Sequence, residues 1–179
     1  MTTLLIARHG NTFEKDQEPV RIGCKTDLPL SSSGIIQAKN IGHYINTNKI
    51  VLNAVYCGTL KRTQETATLA LEAANISLPI NTLTMFDEID YGPDEGKTND
   101  QILARIGDIA LRDWENMAVA PPGWLVDTNR IVQNWHNFAN SIVNDYSSIP
   151  NAIILITLTL LLVISKTSST SSLVAMAGS

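Results

Sequence analysis

Short, continuous apolar runs alternate along this chain with longer segments whose apolar residues recur every three to four positions, and that alternation predicts strands and helices in turn. Thr3 to Ala7 is an apolar run that stops at a polar, glycine-containing stretch, as expected of a strand buried on both faces of a parallel sheet. Leu28-Pro29-Leu30-Ser31-Ser32-Ser33-Gly34 then supplies N-cap chemistry, and Ile35, Ala38, Ile41 and Ile45 follow at helical spacing. Val51 to Tyr56 reads as a second strand. Leu60 to Ala74, rich in Ala, Leu, Glu and Gln, reads as a second helix. Ser77 to Leu83 is an edge-like third strand, because Pro79 cannot donate to a ladder.

Asn99 or Asp100 is placed to cap a helix running to about Trp114. Asp127 or Thr128 starts another in which Ile131, Trp135, Phe138 and Ile142 make one apolar stripe. Ala152 to Ile156 is a late parallel strand. Strands alternating with helices imply right-handed crossovers, and so an α/β fold: a three-layer, doubly wound sandwich around a mostly parallel sheet. Residues 1–157 are expected to form one domain. Residues 158–179 read as a divergent tail, which from Ser165 onward turns to Ser, Thr, Ala and Gly and is expected to fray.

The chain has 179 residues and is 44% hydrophobic, enough for one sizeable core. Its net charge of −4 argues against a general polyanion binder, so nucleic acid is not an expected partner and any anion site must be local. Cys24 and Cys57 have neither metal spacing nor a disulfide framework and read as free thiols. With no secretory signal in view, the cytoplasm is the expected location. The apolar run from Ala152 to Ile164 spans 13 residues, short of the ~20 a crossing helix needs, so no membrane partner is expected.

In open α/β sheets, ligands bind beyond the carboxyl ends of the strands. Arg8-His9-Gly10-Asn11-Thr12 lies directly behind the first strand. A histidine there has a large neutral fraction at pH 7 and can attack phosphorus, and Arg8 offers the planar fork that matches phosphoryl oxygens. Asn11 and Thr12 add polar contacts beside it. Taken alone, Arg62 also reads as a solvated helix charge, and Glu88 as part of a solvated acidic turn.

Together these segments resemble the histidine phosphatase superfamily, also called the phosphoglycerate mutase-like family. The resemblance rests on Arg8-His9-Gly10, on Arg21-Ile22-Gly23 with Asp27, on the strand, turn and helix from Tyr56 to Ala67, and on Phe86 to Thr98 with Glu88 and Gly92-Pro93-Asp94-Glu95-Gly96. It implies that His9 is the nucleophile, that Arg8 and Arg62 hold the phosphoryl group, and that Glu88 is the proton donor. Burial or the like charges of Asp87, Asp90, Asp94 and Glu95 would raise the Glu88 pKa. Gly23 is expected to let backbone N–H groups approach phosphate, and Asp27 to fix its loop. No metal and no cofactor are implied.

One part of the pattern is missing. The family ends its late strand in a second histidine, and this chain has Leu158 there; its other histidines, His43 and His136, lie within helices and read as structural or exposed. The abrupt change in composition fits a truncation, a variant or a shifted reading frame. The expectation is a phosphomonoesterase acting on a small phosphorylated metabolite through phosphohistidine, attenuated by Leu158. Mutase-type transfer, a non-catalytic phosphate-binding or interaction protein, and a scaffold using the Leu-rich tail are its rivals. Substrate and oligomeric state are left open.

Overall fold

The computed structural model describes residues 2–158 and 173–176. Its strands are β1 (Thr2–Arg8), β2 (Ala54–Cys57), β3 (Ile80–Thr82), β4 (Ala152–Leu158) and β5 (Leu173–Met176). Its α-helices are α1 (Ser32–Thr47), α2 (Lys61–Ala74), α3 (Asn99–Met117) and α4 (Thr128–Asp145). All strand pairs are parallel, in the order β3-β2-β4-β1-β5.

Strand parity sorts the core into layers. Leu5 and Ala7 of β1 and Leu155 of β4 face α1 and α2, where they meet Ile41, Ile45, Ala67 and Ala70. Ile6, Ile154, Ile156 and Leu158 face the other way, onto Phe86 and onto Phe138 and Ile142 of α4. The expected three-layer sandwich is therefore present. A third cluster, Ile89, Tyr91, Trp114 and Trp124, joins α3 to the loops on either side of it.

Several boundaries differ from the sequence reading. Val51 is 73% exposed and β2 begins only at Ala54. Just before it, Asn53 exchanges hydrogen bonds with the Ile153 backbone, its own N–H donating to Ile153 O and its Oδ1 accepting from Ile153 N–H, both at 2.8 Å. β3 is three residues long and starts directly after Pro79. The cap of α3 is Thr98, whose hydroxyl accepts from Gln101 N–H while the Gln101 side chain accepts from Thr98 N–H. That helix continues to Met117 but breaks at Gly107, where φ is +78°. Asp127 caps α4 as expected, accepting from Arg130 N–H at 2.9 Å. β4 runs two residues past Ile156 to Leu158.

The expectation of a frayed tail falls mostly on residues outside the described set; within it, Leu173–Met176 lie along β1. Among the described residues, no helix is long and apolar enough to cross a membrane.

Candidate active site

β1 delivers its last residue, Arg8, to the carboxyl edge of the sheet beside Leu158 of β4. His9 N–H makes one more ladder bond, to Leu158 O at 3.1 Å, and the chain then leaves the sheet. Gly10 N–H donates to the Thr66 hydroxyl at 3.1 Å, which ties this loop to α2. The loop also sits against α1 too closely for a side chain: a Cβ on Gly10 would lie 2.4 Å from Gly34 O.

The His9 ring is mostly enclosed, and its Nδ1 lies 2.7 Å from Gly10 O. A carbonyl can only accept, so Nδ1 carries the proton and the Nε2 lone pair is left free. Burial lowers the imidazole pKa from 6.5 to about 4; the bond to Gly10 O opposes this, and the Arg62 and Arg8 cations add to it. At neutral pH the ring is therefore an uncharged base with one available nitrogen.

Arg62 is fully buried on the first turn of α2. Its Nη1 donates to Thr26 O at 2.7 Å and its Nη2 to Gly23 O at 3.2 Å, while Nε is buried without a partner. Asp27 holds the same loop from the other side by accepting from Lys61 N–H at 2.7 Å, at the start of α2. A buried guanidinium whose Nε lacks a partner is a costly arrangement unless something else meets it.

An open crevice of about 810 Å³ brings Arg8, His9, Asn11, Thr12 and Glu88 together. Two expected residues do not line it. Arg62 is fully buried outside that lining and acts on His9 through its charge. Gly23 is a correction: its N–H donates to Glu95 Oε1 at 2.8 Å, and a Cβ there would lie 2.4 Å from Glu95 Oε2. This glycine serves the close packing of two loops, and its amide is not free for phosphate.

Burial raises the Glu88 pKa, against the pull of Ile89 N–H, a Tyr91 hydrogen bond, Arg62 and Arg21. The like charges expected to help are each engaged elsewhere. Asp87 accepts from Thr59, Asp90 pairs with Lys25, Asp94 with Arg105, and Glu95 accepts from Gly23 and Thr26. Glu88 also walls a second cavity of about 350 Å³, shared with Phe86, Trp135 and Leu158. Leu158 is 1% exposed, so where β4 ends beside His9 the chain offers a backbone carbonyl and no side-chain donor. His43 and His136 are exposed and do not line the crevice.

The crevice also holds residues to which the sequence assigns no role. Arg21 stands in it with Tyr91 and Asn99. An arginine two residues before Gly23 is the signal in the sequence that points to it.

Fold and crevice together define a class: a parallel α/β protein that presents an uncharged histidine near guanidinium groups at the carboxyl edge of its sheet. The family model for the histidine phosphatase superfamily (branch 1) matches residues 4–157, and the chain belongs to that superfamily. It is 28% identical over 133 residues to the 2,3-bisphosphoglycerate-dependent phosphoglycerate mutase of Clavibacter sepedonicus, an alignment covering 74% of this chain and 52% of the relative. The chain thus spans about half the length of the curated relatives it matches. Among solved structures it is similar to Bacillus stearothermophilus YhfR, with TM-score 0.70 and 28% identity over 88% of this chain and 74% of that one. Phosphoglycerate mutase from Bacillus anthracis str. Sterne superposes with TM-score 0.72 over 90% of this chain and 76% of that one; at 21% identity it shares the fold.

Proposed function

We propose that the chain hydrolyses phosphomonoesters through a phosphohistidine on His9, at a rate lowered by Leu158. The observation that carries this reading is the His9 ring itself, with Nδ1–H held by Gly10 O and the ring kept uncharged beside two guanidinium groups.

The Nε2 lone pair attacks phosphorus as the bond from phosphorus to the leaving oxygen breaks, and Glu88 gives that oxygen its proton. Arg8, Asn11 and Thr12 face the phosphoryl oxygens from the crevice wall, and the unpartnered Nε of Arg62 is the donor left for them. Water then attacks phosphorus, Glu88 takes a proton back, and the P–N bond breaks to restore neutral His9. The substrate class is a small phosphorylated metabolite.

A second reading is a phosphate-binding protein without turnover, and Leu158 is the observation that favours it. Loss of one charge-stabilising donor typically costs ~10²–10³ in kcat, which slows such an enzyme without abolishing it. Wild type, His9→Ala and Leu158→His are compared on a generic phosphomonoester, with acid-labile phosphate on His9 as a second readout. Turnover that is lost in His9→Ala and rises in Leu158→His is expected. Equal hydrolysis by wild type and His9→Ala would overturn the proposal; phosphate binding with no label on His9 would favour the second reading. Phosphate returned to a second hydroxyl, instead of released, would mark mutase-type transfer.

A further inference from the structure

Arg21 is, with the exposed Lys15, a crevice cation that the chemistry above leaves unused. Its backbone is fixed in both directions, N–H donating to Lys97 O and O accepting from Gly96 N–H, each at 2.8 Å. Its guanidinium lies over two aromatic rings, 5.1 Å from the centre of Tyr91 and 5.4 Å from that of Trp124. The rings are themselves fixed, packed edge to face at 4.6 Å. Behind them, Trp124 Nε1 donates to the buried carboxylate of Asp94 at 2.7 Å, and Arg105 grips the same carboxylate with two nitrogens.

That support orients Arg21 without neutralising it. Its Nη2 donates to Asn99 Oδ1 at 3.3 Å and it hydrogen-bonds the Tyr91 hydroxyl, both uncharged partners. Among the described residues no carboxylate forms an ion pair with it. The acids that share its crevice wall are Glu14, which accepts from Ser32, the exposed Glu18 and Asp100, and Glu88, which burial inclines toward its neutral form. A guanidinium held on aromatic faces keeps its fork of N–H donors available to an anion, and its planar shape suits a carboxylate or phosphate.

We infer that Arg21, shelved on Tyr91 and Trp124 in the crevice that holds His9, binds a second anionic group on the alcohol portion of the substrate. This rests on the phosphomonoester reading of the same crevice. The phosphoryl group faces Arg8 and His9, and a carboxylate or further phosphate on the leaving group faces Arg21. Substrates of this class carry two separated anionic groups, and neutral alcohol phosphates bind less well.

The test separates this from catalysis by measuring binding in a His9→Ala background, where no turnover intervenes. Calorimetric titration compares 2-phosphoglycolate with 2-hydroxyethyl phosphate, which are similar in size and differ in the carboxylate. 2-Phosphoglycolate is expected to bind about tenfold more tightly, the scale of one charge-assisted hydrogen bond. Adding Arg21→Gln should level the two affinities, and adding Arg21→Lys, which keeps the charge, should restore most of the preference. Equal affinities without any change at Arg21, binding of neither compound, or a preference that survives Arg21→Gln would overturn the inference. Failure of His9-dependent hydrolysis in the wild type would instead strike the catalytic proposal and leave this result readable.

Discussion

Acid should destabilise this fold through His9 in a way that a single substitution removes. The ring has a pKa of about 4 in the folded chain against 6.5 for the free side chain. Between those values the unfolded chain binds the extra proton and the folded one does not, so stability rises with pH across that window. The contribution is complete above pH 6.5 and is lost progressively as pH falls toward 4. The two values give a loss of about 2 kcal/mol at pH 5 and about 3 kcal/mol near pH 4, where the folded ring itself begins to take the proton.

His9→Gln carries no titrating group, and every other acid or base is common to both proteins, so the difference between their pH dependences isolates His9. Thermal unfolding is followed by circular dichroism from pH 8 to pH 5 at constant ionic strength, in buffers free of phosphate because a bound anion would stabilise the folded state. Wild type should lose about 2 kcal/mol more than His9→Gln over that range, equivalent to about 4–8 °C in Tm for a chain of this size. Parallel pH dependences would refute the reasoning. The ring would then be as free to take a proton when folded as when unfolded, and neither burial nor the two arginines would be acting on it.

Glu88 is displaced in the opposite sense, with a folded pKa raised from 4.5 by burial, so its contribution is full below about pH 4.5 and is lost as pH rises through the folded value. Glu88→Gln should therefore match wild type in urea unfolding at pH 4 and exceed it at pH 8, while kcat/KM falls by ~10²–10⁴; equal midpoints at pH 8 would count against the burial argument. Gly42→Ala would bring a Cβ to 2.1 Å from Ala70 O, where α1 meets α2, and should cost about 1–3 kcal/mol; an unchanged urea midpoint would show that the helices can part without loss. Asp94→Ala leaves the Trp124 indole N–H without its acceptor and releases Arg105 to solvent, and should cost about 2 kcal/mol with a changed near-ultraviolet spectrum. A spectrum and midpoint like those of wild type would show that Trp124 is fixed by its ring packing alone.

Local pattern was enough for those parts of the fold that depend on local chemistry. Ser31 and Asp127 cap α1 and α4 because a short polar side chain at those points can accept from a backbone N–H three residues on. Phe138 and Ile142 are buried where helical periodicity put them. The errors lie where a distant group decides. Val51 has the composition of a strand residue, yet the pairing of Asn53 with Ile153, a hundred residues on, sets where β2 begins. Gly23 is a glycine in a segment expected to meet phosphate, and nothing adjacent in sequence shows that Glu95 takes its N–H. His9, Arg8, Asn11 and Thr12 stand out by their place behind the first strand, Glu88 only by the family resemblance, and all five line one crevice. The sequence could not show that Arg62 would be buried outside the lining of that crevice, or that Tyr91 and Trp124 would bring Arg21 into it, since both depend on how the 21–27 and 88–125 segments fold over each other.

The order of causes behind the His9 pKa also says what a bound phosphoryl group would do to it. An anion lodged against Arg8 would offset part of the positive potential that helps to keep the ring uncharged, and by itself would draw a proton toward the imidazole. Burial is the larger cause, however, and a ligand filling the crevice excludes more water and strengthens it. The ring therefore stays uncharged when its lone pair is needed, and this holds with Leu158 in place, since that side chain packs on the α4 side of the sheet and adds no charge. In the proposed reaction the preparation of the nucleophile and the stabilisation of the transferring group would then be separable, and the leucine would weaken only the second. Leu158→His should raise kcat while leaving the acid limb of kcat/KM where His9 sets it. A limb that moves by a full pH unit in that variant would show that the two histidines titrate together and that the separation is wrong.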